Sequence, residues 1–280
     1  MENIKIHVLH CGEVCVSPHL PFGGEKCNLL KAAGLTTRKK GRLWLPVSVY
    51  LIEHPKGKIL IDTGWSREIS PKGTFDSMAQ IRHMSFPLYC VNQGRVSQGQ
   101  AVDEQLLSMR ITASDLDYVL LTHLDCDHAS GIKQVAKARH ILVSSEEVAC
   151  ASRHKIRYIS SMWSGVSLTA FEFEETGIGP VGQAFDLFQD GSVLLVHTPG
   201  HSDGLFSVLI SNAEGKYVLL FSDGGYSKKS WEQGIIPGIT MDKTKTAESL
   251  AWISRMSSNE NCVESLANHD PEIIPHTILL

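Results

Sequence analysis

No run in this sequence approaches the roughly 18 consecutive apolar residues that a membrane-spanning helix needs, so no membrane association is expected. The opening Met1-Glu-Asn-Ile-Lys-Ile-His-Val-Leu alternates apolar with polar residues like a first strand, and lacks the continuous apolar stretch of a secretory signal. Cysteines are few: seven in 280 residues, an odd number without paired short spacings, which argues against a disulfide framework and for a reducing, cytoplasmic compartment. Cys11 and Cys15 lie close together, but no second pair follows with which to build a zinc site. A net charge of −4 leaves no general basic surface for nucleic acid. Arg38-Lys-Lys-Gly-Arg42 is a short basic cluster of the kind found in solvated turns, or one able to meet an anionic substrate or partner. Linkers, repeats and low-complexity tracts are also missing, so the chain reads as one domain over 1–280.

What the sequence does have is Val119-Leu-Leu-Thr-His123-Leu-Asp125-Cys-Asp127-His128-Ala-Ser-Gly131, four potential metal ligands within six residues after an apolar run. A strand ending near Leu121 delivers His123 and Asp125 to one side of an extended segment, because side chains alternate with period two. Asp127 and His128 follow where the chain turns toward a helix expected over Ile132–Ala138, so they can face a second ion. Two ions about 3.5–4 Å apart can share a bridging hydroxide, a strong nucleophile at neutral pH. Taken alone, the stretch also fits a polar loop whose aspartate caps a helix. Four further segments weigh against that reading: Lys58-Ile-Leu-Ile-Asp62-Thr-Gly64, Val193-Leu-Leu-Val-His197-Thr-Pro-Gly-His201, Tyr217-Val-Leu-Leu-Phe-Ser-Asp223 and Ala267-Asn-His269-Asp270. Each places a polar residue at the end of an apolar strand, where rigid scaffolds carry chemistry.

In order and wording these segments resemble the metallo-β-lactamase superfamily over nearly the whole chain, and within it the N-acyl homoserine lactonases. Leu45-Pro-Val-Ser-Val-Tyr50-Leu-Ile-Glu through Gly64 is similar to the opening segment of the lactonases. Asp223-Gly-Gly-Tyr226 resembles the stretch in which a tyrosine follows the bridging aspartate by three residues, and His269-Asp270-Pro-Glu272 a terminal His-Asp-x-Glu. The resemblance implies an αββα sandwich, an α/β architecture that the alternation of apolar strands with helical stretches also fits. It implies that His123, Asp125 and His201 hold one divalent ion, that Asp127, His128 and His269 hold another, and that Asp223 bridges them. Zinc is the first candidate, with manganese or iron as others. Asp62 would fix the ring of a ligand histidine from behind.

One position departs from the family's His-x-His-x-Asp-His: Asp125 stands where the second histidine is expected. Two divalent ions and a hydroxide against three aspartates leave the core formally neutral, one unit below the histidine version. That predicts a weaker Lewis acid, a shift toward oxygen-loving ions, and a first site left looser or empty by the shorter side chain. Asp125 confined to an outer contact, with a single ion bound, is the other reading.

The expected activity is opening of a lactone, N-acyl homoserine lactone among the candidates, by attack of the metal-bridging hydroxide on a small-molecule substrate. Tyr226 would donate a hydrogen bond to the oxyanion and Asp127 would pass a proton to the leaving alkoxide. Other superfamily hydrolases of esters, thioesters, β-lactams or phosphoesters share the same centre, and a non-catalytic metal- or ligand-binding member is the rival that Asp125 suggests. His197 reads as strand-end packing and Cys126 as a packing residue pointing away from the metals. His7, His10, His54, His83, His140, His154 and His276 lack ligand-like company. Segments 15–44 and 65–112, the latter with helices expected at Phe75–Met84 and Val102–Arg110, are long connections that should shape the pocket. Met78, Ile81, Met84 and Phe86 share a helical face that reads as core, or alternatively as a wall for an acyl chain.

Overall fold

Strands β1 (Lys5–Val16) and β2 (Leu43–His54), twelve residues each, pair antiparallel, and a two-residue turn at Pro55-Lys56 returns the chain into β3 (Gly57–Ile61). The computed structural model describes residues 4–280; Met1, Glu2 and Asn3 of the expected first strand, and the side chain of Lys39 in the basic cluster, lie outside the described residues. The short β4 (Gln93–Arg95) adds to β1, and β5 (Tyr118–Leu120), β6 (His140–Ser144) and β7 (Thr169–Phe171) follow β3 in parallel. A second sheet runs through β8 (Glu174–Glu175), β9 (Gln183–Asp186), β10 (Val193–His197), β11 (Phe206–Ser211), β12 (Tyr217–Ser222) and β13 (Cys262–Ala267). It is antiparallel except for the β12–β13 pair, and β14 (Thr277–Leu279) then returns to the free edge of β1.

The burial pattern explains the layering. Ile6, Val8, Tyr50, Ile52, Ile59 and Ile61 from the first sheet meet Phe206, Val208, Ile210, Val218 and Leu220 from the second in one apolar core. The opposite face of the first sheet packs Leu51, Leu60, Val119 and Val143 under Val102, Leu106 and Ile132. The opposite face of the second packs Leu219 and Phe221 under Trp252 and Ile253 of the helix Lys243–Ser257. Helical segments thus cover both outer faces, giving the αββα sandwich; each fully buried large apolar side chain contributes about 1.5–3 kcal/mol.

Asp76 and Asp242 accept hydrogen bonds from backbone N–H groups of the first turns of Ser77–Met84 and Lys243–Ser257, which sets where those helices start. The expected helix at Val102–Arg110 forms over Val102–Ser108. The one expected at Ile132–Ala138 does not: Ile132–Val135 is a short 3₁₀ turn, and the single α turn lies earlier, at Cys126–Ala129. The chain must reach β6 at His140, which leaves no length for further turns.

Gly200, just before His201, has φ +134°, and a Cβ there would stand 2.3 Å from the Thr246 amide nitrogen on the covering helix. Gly215 also has positive φ, +80°, but open space around it. Gly200→Ala should therefore cost about 2–4 kcal/mol, from backbone strain plus overpacking, and Gly215→Ala only about 1 kcal/mol. Urea unfolding of both variants checks this; equal losses would show that the close approach at Gly200 is unimportant.

Candidate metal centre

All the expected site residues sit past the C-terminal ends of β3, β5, β10, β12 and β13, at one end of the sandwich. Two of those strand ends need unusual backbone: Asp62 has φ +60° and Ser222 φ +46°, conformations that cost a non-glycine residue about 1–3 kcal/mol. Asp62 is held there by its N–H on Leu120 O at 2.9 Å, and Ser222 Oγ lies 2.8 Å from Thr122 Oγ1.

The Asp62 carboxylate is fully buried. Its Oδ1 accepts from the Thr122 amide at 2.8 Å, and its Oδ2 from Thr122 Oγ1, His128 Nδ1 and Asn268 Nδ2 at 2.9, 2.8 and 2.9 Å. With Nδ1 of His128 donating to Asp62, its Nε2 is turned toward the cluster. On the other side of the seam β2 grips the end of β13 by three bonds: Ser48 N–H to Asn268 O (2.8 Å), Tyr50 O–H to Ala267 O (2.9 Å), and His269 Nδ1–H to Pro46 O (2.8 Å). The last of these aims His269 Nε2 inward as well. Buried Glu147 accepts from the Leu124 and Gly204 amides, tying down the loops beside His123 and His201.

Asp127, His128 and His269 form one group whose donor atoms lie within 4.8 Å of one another. The Nε2 atoms of His128 and His269 face each other at 3.3 Å, with Asp223 Oδ1 at 3.4 and 3.2 Å from them and Asp127 Oδ2 at 3.5 Å from His269. Two imidazole nitrogens this close, ringed by carboxylates, call for a cation between them, and the donor set fits a divalent ion.

His123, Asp125 and His201 form a second group, also within 4.8 Å, and His123 belongs as well to a third with His128 and Asp223. His123 Nε2 is buried without a hydrogen-bond partner, and Asp223 Oδ2 lies 3.5 Å from His201 Nε2, so Asp223 stands between both groups. This group does not fit an ion in the same way, because the Arg157 guanidinium lies on Asp125 and His201. Burial works against charge on Asp125, yet Arg157, His123 and His201 hold its carboxyl well below the usual range. Sequence reasoning missed Arg157, Thr122, Asn268 and Glu147. The only hint of the first was the extra negative charge that Asp125 adds to the cluster, which asks for a compensating cation.

A cavity of about 710 Å³ opens over the cluster, with Asp125, Asp127, His201, Asp223 and Tyr226 on its floor. Its walls include Val16, Leu20, Leu29 and Ala33 from segment 15–44, Pro87, Leu88 and Val91 from segment 65–112, and also Ile156 and Ile239. Of the helical face Met78, Ile81, Met84 and Phe86, Met84 is core and none lines this cavity; Met78 and Phe86 are exposed. Arg42 of the basic cluster donates to the Cys90 and Val91 carbonyls at 2.5 and 3.3 Å, closing the helix Phe86–Val91 and joining the two pocket-lining segments.

Tyr226 is buried, stacks on His269 (ring centroids 5.1 Å apart), and has its phenol pushed well above the ordinary value by burial and then by Asp223, Asp127 and Asp125. It is therefore a hydrogen-bond donor. His197 bonds Asp203 O at 2.9 Å and stacks on Phe173, away from the cluster. Cys126 is buried among Val14, Val16 and Met162, with one edge on the cavity. Cys11 and Cys15 join no candidate metal group among the described residues, and all seven cysteines are free.

The sequence profile described as the Metallo-beta-lactamase superfamily matches residues 42–215, and the chain belongs to that superfamily. An N-acyl homoserine lactonase of Rhizobium radiobacter is 25% identical over 236 residues, covering 81% of this chain and 83% of its own. A probable metallo-hydrolase of Mycobacterium tuberculosis is 25% identical, covering 97% and 78%. Among solved structures, an N-acyl homoserine lactone hydrolase with N-hexanoyl-L-homoserine at its catalytic metal center superposes with a TM-score of 0.74 at 22% identity, over 97% of this chain and 95% of that one. The dizinc quorum-quenching lactonase AidC does so at 0.64 and 13%, over 100% and 95%. The structural likeness shows the metallo-β-lactamase fold; the lactonase and metallo-hydrolase relatives support a metal-dependent hydrolase.

Before an ion binds, burial opposes charge on His128 and His269, but Asp223, Asp62 and Asp127 raise His128 well above its ordinary value and Asp223 raises His269. At both rings an ion must therefore compete with a proton held more firmly than on a free imidazole. Ion affinity should accordingly increase with pH through and beyond the usual histidine range. Calorimetry in two buffers of different ionisation enthalpy should register the released protons; affinity unchanged between about pH 6 and 8 would contradict it.

Proposed function

We propose that this protein is a metal-dependent hydrolase that opens lactones, with N-acyl homoserine lactones as the first substrates to test, which would make it a quorum-quenching enzyme. The observation that carries this reading is the joint opening of both ligand groups and the Tyr226 phenol onto one largely apolar cavity. An acyl chain suits the walls, and a polar ring head the floor. The ligand roles follow the two groups: His123, Asp125 and His201 for one ion, Asp127, His128 and His269 for the other, Asp223 between them, and Asp62 behind His128. Asp127, His128, His269 and Asp223 suit a divalent ion, zinc first, and the carboxylate-rich first group would suit manganese or iron only where the Arg157 guanidinium withdraws from it. Seven free thiols favour a cytoplasmic setting, and no helix among the described residues is long and apolar enough to cross a membrane.

When bound, the metal supplies an acidified water and polarisation of the carbonyl. The chain's own residues do the rest. Tyr226 donates a hydrogen bond to the carbonyl oxygen as it gains negative charge. Asp127, which lines the cavity with a side chain 9% exposed, accepts a proton from the attacking water and returns it to the ring oxygen as the C–O bond breaks. The apolar walls hold the acyl chain and keep bulk water from it.

Metal-reconstituted protein should be assayed against acyl homoserine lactones of varied chain length, beside a thioester, a phosphoester and a β-lactam. Lactone turnover should lead by orders of magnitude; preference for another ester class would move the assignment within the superfamily. Tyr226→Phe should keep its metal content and lose about 10²–10³ in kcat/KM if the phenol serves the oxyanion. Wild-type kinetics in that variant would remove Tyr226 from the chemistry.

A further inference from the structure

Arg157 reaches the cluster from the turn that follows the helix Ser145–Arg153. All three guanidinium nitrogens are committed to the first ligand group. Nε donates to Asp125 Oδ1 at 2.6 Å, Nη2 to Asp125 Oδ2 at 2.7 Å and to His201 Nε2 at 2.8 Å, and Nη1 to the His201 carbonyl at 2.9 Å. The contact with His201 is decisive. Nε2 of His201 also lies 3.1 Å from Asp125 Oδ2, so with Arg157 and Asp125 both packed on it this nitrogen is not open to an ion in this arrangement, whichever tautomer the ring holds, and Nδ1 is buried without a partner. Both carboxylate oxygens of Asp125 are engaged as well, in the two-pronged geometry that a carboxylate allows and an imidazole does not. Asp125 and Arg157 are thus a matched pair: the residue that departs from the family's histidine is the one that a guanidinium can hold.

We infer that Arg157 is a built-in cation standing in for the first ion, so that the resting protein carries one divalent ion, held by Asp127, His128, His269 and Asp223. This rests on the metal-dependent reading above and narrows its complement from two ions to one. His123 fits the arrangement. Its buried Nε2 has no hydrogen-bond partner and stands between the two sites, 3.5 Å from Asp125 Oδ2 and in a donor group with His128 and Asp223 as well as in the one with Asp125 and His201, so it can turn to the retained ion. Charge fits too, because one divalent ion and the guanidinium together balance Asp125, Asp127 and Asp223.

The test is ion number rather than turnover. Chelator-stripped protein is reloaded with zinc and its content measured after gel filtration; in parallel it is loaded with Mn(II) and its paramagnetic resonance spectrum recorded. Wild type should hold one zinc per chain and give the spectrum of an isolated Mn(II). Arg157→Met should rise to two per chain with an exchange-coupled Mn(II) pair, and Arg157→Lys, which keeps a cation, should stay at one. The double variant Asp125→His/Arg157→Met, which rebuilds a histidine site, should also hold two, and covers the case in which Arg157→Met alone fails to fold. Two tightly held ions in wild type, or one ion in the folded double variant, would overturn the inference while leaving lactone hydrolysis intact. One ion in wild type with two in the variants, but no lactone turnover, would support the inference and remove the proposed substrate.

Discussion

A single buried carboxylate organises this end of the molecule. Asp62 terminates β3 in a left-handed conformation and collects an amide, a hydroxyl, an imidazole and a carboxamide from three residues on two other segments. Charge-assisted hydrogen bonds of this kind are worth about 1.5–3 kcal/mol each when formed, and comparable amounts are lost when a buried donor is orphaned. The strain at Asp62 is affordable only because those donors surround it. Thr122 sets the start of the ligand loop, His128 is fixed in ring orientation, and Asn268 brings the adjacent His269 to the same place. The second sheet is attached through the same residues, since Thr122 also meets Ser222 and Asn268 belongs to the end of β13.

Legibility followed locality. His123 to His128 are close in sequence because one turn carries them, and Asp62, His201, Asp223 and His269 announce themselves as polar residues ending apolar strands. The strand at Val193–His197 coincides with its expected range because burial on both faces leaves a continuous apolar run with sharp polar limits. Helical spacing was less informative. It shows which residues share a face but not what the face meets, so Met78 and Phe86 turned out exposed while Pro87, Leu88 and Val91, a few residues on, reached the cavity. The helix expected at Ile132–Ala138 failed on a constraint of path length that periodicity does not contain.

Arg157 was hidden for a different reason. Nothing in His154-Lys-Ile-Arg157 resembles a ligand motif, and its meaning arises only when the turn after the helix Ser145–Arg153 is folded against the loop that holds Asp125. Electrostatic accounting still pointed to it. A further aspartate, partly withdrawn from water, in a cluster built for histidine is costly unless a positive group joins it. The structure answers with the cation best suited to a carboxylate, on a segment that also lends Ile156 to the cavity wall.

The donors come from both sheets, His128 from the first and His269 from the second, and they meet across a seam closed by the bonds from β2 to the end of β13. An ion bound there is a clasp between two layers that otherwise adhere through a non-directional apolar core. Its binding free energy is available only when the layers are docked in register, so it adds directly to the stability of the docked state. Opening of the seam and release of the ion are then one event viewed from two sides. With an ion held there, the mobility of this end of the sandwich would follow metal supply, and loss of the ion would loosen the architecture along with the chemistry.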